Sequence, residues 1–186
     1  MRSPALVLAL GAIVCAGCAR PAASSDEADE RDVAGLVART AQANSALVRG
    51  DIDTYIALAD HASDYTLMAP FGGTPTRGFD PSPGHRASMA RLFRSGTFRQ
   101  EVLAAHASKD LVVLVTVERM RAQVASLPEQ DWSLRVTQVF RRAGSRWQLV
   151  RRHADPLADG IGLERAAALA RGDRSRPFGD RQKRTR

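Results

Sequence analysis

Trp132-Ser133-Leu134-Arg135-Val136-Thr137-Gln138-Val139-Phe140 is the stretch that decides the fold. Side chains alternate across a strand, so Trp132, Leu134, Val136, Gln138 and Phe140 share one face while Ser133, Arg135, Thr137, Val139 and Arg141 share the other. The first face is apolar with Gln138 as its exception, which is the pattern of a strand with one side on a core. Three further segments of β character surround it, at 97–107, 111–124 and 147–155. Their connections, Ser108-Lys109-Asp110, Ser126-Leu127-Pro128-Glu129 and Ala143-Gly144-Ser145, are short enough to predict an antiparallel meander.

Upstream the period changes from two to 3.6. Val33, Leu36, Val37, Thr40, Ala43, Ala46 and Leu47 recur at helical spacing, and Gly50 supplies a stop. Asp51 then caps a short second helix through Ile52, Tyr55, Ile56 and Leu58. Residues 65–69 read as a short strand, and Pro70-Phe71-Gly72-Gly73-Thr74-Pro75 as a loop of the kind that rims a site. Ser82-Pro83 starts a third helix through Met89, Leu92 and Phe93 to Gly96, and residues 159–171 hold a C-terminal helix. The expected class is α+β: a cone-shaped, strongly curved antiparallel sheet with three N-terminal helices packed on its concave face.

The charge lies mostly outside this body. The chain has 27 Lys plus Arg against 20 Asp plus Glu, but seven of those cations and two of the acids fall in the last 16 residues, and residues 18–170 carry 19 cations and 18 anions. A folded nucleic-acid-binding face needs its excess charge on the domain, so no nucleic-acid partner is expected. Residues 172–186, basic and nearly without apolar side chains, are expected to form a disordered tail.

At the other end, Arg2 followed by the 13-residue apolar run 5–17 is too short for a permanent membrane helix and suits a signal peptide, residues 1–17. The run ends in Cys15-Ala16-Gly17-Cys18, which resembles the lipobox of bacterial lipoproteins and marks Cys18 for lipidation, with soluble secretion the alternative. Residues 18–32 then form a flexible tether, and the expected location is the cell envelope, lipid-anchored on the periplasmic side. With Cys15 removed and Cys18 acylated, the domain would keep no thiol for catalysis or disulfides.

Three patches carry a family resemblance: Gly50-Asp51-Ile52-Asp53, the run Tyr65-Thr66-Leu67-Met68-Ala69-Pro70-Phe71-Gly72-Gly73, and Trp147-Gln148-Leu149-Val150-Arg151-Arg152-His153-Ala154-Asp155-Pro156. Together they resemble the nuclear transport factor 2-like superfamily, in its SnoaL-like and ketosteroid-isomerase-like branch, over residues 33–158. The superfamily spans isomerases, cyclases, dehydratases and proteins without chemistry, so the resemblance speaks to fold more than function. Its isomerases carry a general-base aspartate before the proline matching Pro70, where this chain has Ala69. A tyrosine in the first helix and an acidic donor in the penultimate strand are likewise replaced, near Ala43 and at Gln138. Alanine cannot act as a base, which argues against steroid isomerisation. The resemblance also implies a homodimer through the outer sheet face.

His153 and Asp155, two apart on the final strand, would share a face with Trp147, Leu149 and Arg151. On the concave side they could act as acid or base and tautomer-fixing partner; otherwise they tie the strand end to a helix. Candidate ligand-binding residues are Tyr55, Tyr65, Met68, Arg121, Trp132, Gln138 and Phe140; the alternatives are core packing for Tyr55, Tyr65, Met68, Trp132 and Phe140, a bond to a neighbouring strand or to water for Gln138, and a solvated strand end for Arg121. His61, His85 and His106 lack metal-set spacing, and no phosphate loop or nucleophile elbow occurs, so neither metal nor cofactor is expected. The leading expectation is an exported domain binding a small apolar or amphipathic molecule without catalysis. The alternatives are a lyase, hydratase or cyclase using His153 and Asp155, and a non-catalytic envelope interaction protein.

Overall fold

The alternating strand becomes β5 (Gln130–Ala143) in a computed structural model that describes residues 25–171. It is preceded by α1 (Ser25–Val48), α2 (Ile52–Leu58), β1 (His61–Met68), β2 (Thr76–Arg77), α3 (Pro83–Leu92), β3 (Phe93–Ala107) and β4 (Leu111–Val124), and followed by β6 (Arg146–Pro156) and α4 (Leu163–Ala170). The signal segment 1–17, Cys18, residues 19–24 of the tether and the tail 172–186 lie outside the described residues.

The six strands form one curved, unclosed sheet in the order β2-β1-β6-β5-β4-β3. The meander of β3 to β6 is antiparallel, as its short turns require, but β1 runs parallel to β6. The wholly antiparallel expectation is therefore corrected. The chain enters β1 from α2 and leaves through the loop to β2, so β1 reaches the sheet beside the last strand and not the first.

The expectation of three helices ahead of the sheet is also corrected. Among the described residues only α1 and α2 precede the strands, and α3 follows β1 and β2. Helix α3 stops at Leu92, four residues short of Gly96, because the chain turns directly into β3 at Phe93. Gly96 lies so close to α1 that a Cβ there would sit 2.6 Å from the Val48 carbonyl oxygen, which is why the strand needs glycine at this crossing. At the other end α1 begins eight residues before Val33 and takes in part of the presumed tether. Asp32 on its first half pairs with Arg142, whose guanidinium lies 4.2 Å from the centre of the Trp147 ring.

Local signals account for the joints. Gly50, at φ 81°, closes α1 in the left-handed conformation with its N–H on Leu47 O. The Asp51 carboxylate accepts the Thr54 N–H at 3.1 Å to cap α2, and the Ser82 hydroxyl accepts the His85 N–H at 3.3 Å to cap α3. Helix α1 lays Leu36 on the concave face of the sheet, against Val112, Leu114, Phe140, Trp147 and Leu149. Ala43 and Ala46 then pack with Tyr55, so α2 is held over one end of the hollow.

Candidate functional site

The hollow between α1, α2 and the sheet is polar at its centre. On β4 the buried phase runs Val112, Leu114, Thr116, Glu118, placing a carboxylate with a side chain only 2% exposed among apolar neighbours. Across the sheet, β6 supplies Arg152, whose Nη1 and Nη2 donate to the two Glu118 oxygens at 2.7 Å each. Asn44 of α1 donates its Nδ2–H to the same carboxylate at 3.1 Å. Burial works against the Arg152 charge, but the attraction and hydrogen bonds of Glu118 outweigh it and raise the guanidinium above its usual value. Both carboxylate oxygens of Glu118 are thereby engaged in hydrogen bonds.

Beside this pair lies a cavity of about 20 Å³, room for about one water molecule. Asn44, Tyr55 and Arg152 give it a polar side, while Leu58, Phe140 and Leu149 give it an apolar one. Gln138, 3% exposed, also faces it, and its side-chain oxygen has no hydrogen-bond partner. Buried amides in native proteins are normally paired, so this oxygen is an unused acceptor on a residue that lines the cavity.

Tyr55 connects the cavity to a second cluster. Its hydroxyl lies 3.3 Å from Nε2 of His61, which stacks on Phe79 with ring centres 4.2 Å apart and meets the edge of Tyr65 at 4.6 Å. Burial among these rings lowers the His61 pKa to about 4, against weaker opposing effects of the Ala59 backbone and Asp60, so the imidazole is neutral at pH 7. The same burial raises the pKa values of Tyr55 and Tyr65.

His153 and Asp155 do not project into the hollow. Val139 is opposite Arg151 whereas Phe140 is opposite Leu149, so Val150 is an extra residue and β6 carries a β-bulge there. Trp147 and Leu149 face inward before it; Arg152 and Ala154 face inward after it. The expected common face of Trp147, Leu149, Arg151, His153 and Asp155 is thus broken. His153 Nε2 and Asp155 Oδ2 lie 3.4 Å apart on the outer face, with side chains 38% and 49% exposed.

The ligand-binding candidates divide in the same way. Tyr55, Gln138 and Phe140 meet at the cavity. Tyr65 lies behind it in the core cluster. Met68 turns outward, its Sδ 3.0 Å from Arg151. Arg121, also on the outer face, is bound by Glu129 at 2.7 Å and Asp131 at 3.3 Å, and it shares with Trp132 an open cleft of about 510 Å³ at the far end of the sheet. Trp132 donates its indole N–H to Ala122 O and meets Phe71 edge to face. Glu118, Arg152 and Asn44 are not among the residues the sequence singles out. The available signal was an acid on the otherwise buried phase of β4.

Solved structures with this arrangement come from several bacteria. A nuclear transport factor 2-like superfamily protein from Salmonella enterica serovar Typhimurium is 16% identical, with a TM-score of 0.60, over 75% of this chain and 99% of that one. One of unknown function from Pseudomonas putida is 22% identical, with a TM-score of 0.57, over 76% and 92%. A candidate scytalone dehydratase from Novosphingobium aromaticivorans is 11% identical, with a TM-score of 0.59, over 74% and 93%. At these identities the likeness establishes the nuclear transport factor 2-like fold. No family model and no curated protein matches the chain.

Proposed function

We propose that this domain is a binding module that holds the polar end of a small amphipathic molecule in its hollow and performs no chemistry on it. The single observation behind the reading is the Gln138 side-chain oxygen, buried and unpartnered at a cavity with one apolar wall. A ligand that donates a hydrogen bond, through the hydroxyl of an alcohol or the N–H of a primary amide, satisfies that oxygen with a head group about the size of a water molecule. The small volume admits only the head of such a molecule. The engagement of Glu118 by Arg152 and Asn44 and the outward turn of His153 and Asp155 support a reading without chemistry at those groups. An envelope location, with Cys18 as lipid anchor and a paired outer sheet face, belongs to the same proposal and rests on the sequence of residues 5–18 and on the resemblance given above.

Titration of ¹⁵N-labelled protein with acetamide and with 2-propanol tests the reading. Both probes are expected to move the side-chain amide resonances of Gln138 and Asn44 with about millimolar affinity, in keeping with about four heavy atoms of ligand. Gln138→Leu is expected to weaken that response at least tenfold. Unmoved cavity amides, or a Gln138→Leu variant that responds like the parent, would count against it.

A lyase of the kind that names one structural neighbour is the second reading. The observation in its favour is the neutral His61 in contact with the Tyr55 hydroxyl at the cavity wall, which could pass a proton to or from a bound molecule.

A further inference from the structure

On the outer face of the sheet, away from the hollow, two arginines stand directly opposite each other: the register sets Arg99 of β3 against Arg119 of β4. Both belong to the phase opposite that of the buried Glu118 and Leu134, and so do Thr97, Arg121, Asp131 and Ser133 at neighbouring positions of β3, β4 and β5. All six line the open cleft of about 510 Å³. Residues directly opposite on antiparallel strands have Cβ atoms about 5 Å apart, and like charges placed so oppose folding.

The three cations of the cleft differ in what they meet. Arg121 is neutralised: Glu129 and Asp131 accept from it at 2.7 Å and 3.3 Å, which also occupies the carboxylate of the cleft. Arg119 gives its Nη1–H to the Ser133 hydroxyl at 3.2 Å, a neutral acceptor, and among the described residues neither Arg99 nor Arg119 forms an ion pair. Glu101, the next residue of this phase on β3, stands opposite Val117 and pairs with neither. Two adjacent guanidiniums without a carboxylate, flanked by the hydroxyls of Thr97 and Ser133, are the donor set of an oxyanion site, because each planar fork directs parallel N–H groups at a pair of oxygens. A carboxylate has oxygens for one fork only, whereas a phosphate dianion serves both and cancels both charges. The cleft exceeds the volume of a phosphate ion, so it admits a phosphate borne on a small organic group as well as the free ion.

We infer that this cleft binds a phosphate dianion, free or carried as a monoester, between Arg99 and Arg119. The site lies across the sheet from the hollow and toward one end of the outer face, and Val113, Val115 and Val139, farther along that face, are left for a second copy of the chain. The experiment titrates the ¹⁵N-labelled full chain with sodium phosphate and with phenyl phosphate at about pH 8, against sodium chloride of equal ionic strength. Both phosphates are expected to move the backbone amides of Arg99, Arg119 and Ser133 with about millimolar affinity, and chloride is not. A phenyl phosphate affinity at least fivefold above that of phosphate assigns the site to a monoester; equal affinities assign it to the free ion. Arg99→Gln with Arg119→Gln should weaken the response at least tenfold, whereas Arg49→Gln with Arg77→Gln, which removes the same two charges at exposed sites elsewhere, should change it less than twofold. Phosphate should also raise the Tm of the parent and of the Arg49 and Arg77 control, and leave that of the Arg99 and Arg119 variant unchanged. That variant is expected to fold, since it relieves a like-charge pair. Cleft amides that respond to chloride as they do to phosphate would overturn the inference. So would an Arg99 and Arg119 variant that binds like the control.

Discussion

Arg152→Leu is expected to destabilise the domain by about 3–5 kcal/mol, the largest single effect anticipated outside the apolar core. The substitution leaves the Glu118 carboxylate buried, with the Asn44 amide as its remaining hydrogen-bond partner among the described residues. Replacing both members, as Glu118→Leu with Arg152→Leu, removes the stranded charge, and most of the lost stability should return because a buried pair and an apolar pair of similar volume are close in energy. Urea denaturation of the parent and the two variants at pH 7 measures this directly. A cost below about 1 kcal/mol for Arg152→Leu, typical of exposed ion pairs, would mean that the guanidinium does not reach the interior.

The second large effect is one of pH. His61 has a pKa of about 4 in the folded domain against 6.5 for an unperturbed histidine, because burial against Phe79 and Tyr65 opposes the imidazolium. The unfolded chain then binds more protons than the folded one between these values. Stability is fully present above about pH 6.5 and is lost as pH falls toward 4, by about 3 kcal/mol in total. The carboxylates held below their usual range, Asp32, Asp51, Asp64 and Asp80, act below that window. His61→Phe should therefore flatten the dependence between pH 6.5 and 4 while keeping the ring stack. A slope that survives the substitution would assign the effect to another group.

Most of the sheet was legible because alternation in β5 is strict and the turns around it are short. Less legible was β1, whose first half, His61-Ala62-Ser63-Asp64, has little β propensity and pairs with β6 only at His61, the regular pairing beginning at Thr66. On β4, Leu111-Val112-Val113-Leu114-Val115 is apolar in both phases, so periodicity cannot say which side is buried, and Glu118 passed as the polar end of a strand. The helix-to-strand junction at Phe93 was hidden for a different reason: Leu92 and Phe93 continue the apolar spacing of α3 although the backbone has already changed.

The site was misread through a single residue. Counting by two from Leu149 delivers His153 and Asp155 to the interior, and no feature of Val150 in the sequence announces a bulge. Bulges arise from pairing with a neighbour, here from the stretch of β5 where Val139 and Phe140 meet residues two apart on β6. One inserted residue exchanges an imidazole and a carboxylate for a guanidinium on the inward face of β6.

That exchange is the central claim, and thiol accessibility along β6 tests it most directly. Single cysteines at positions 151, 152, 153, 154 and 155, in a Cys15→Ser, Cys18→Ser chain, would be labelled with a soluble maleimide under native conditions. The bulged strand predicts fast labelling at 151, 153 and 155 and at least tenfold slower labelling at 152 and 154. Protection at 153 and 155 with free reaction at 152 and 154 would contradict it and return His153 and Asp155 to the hollow.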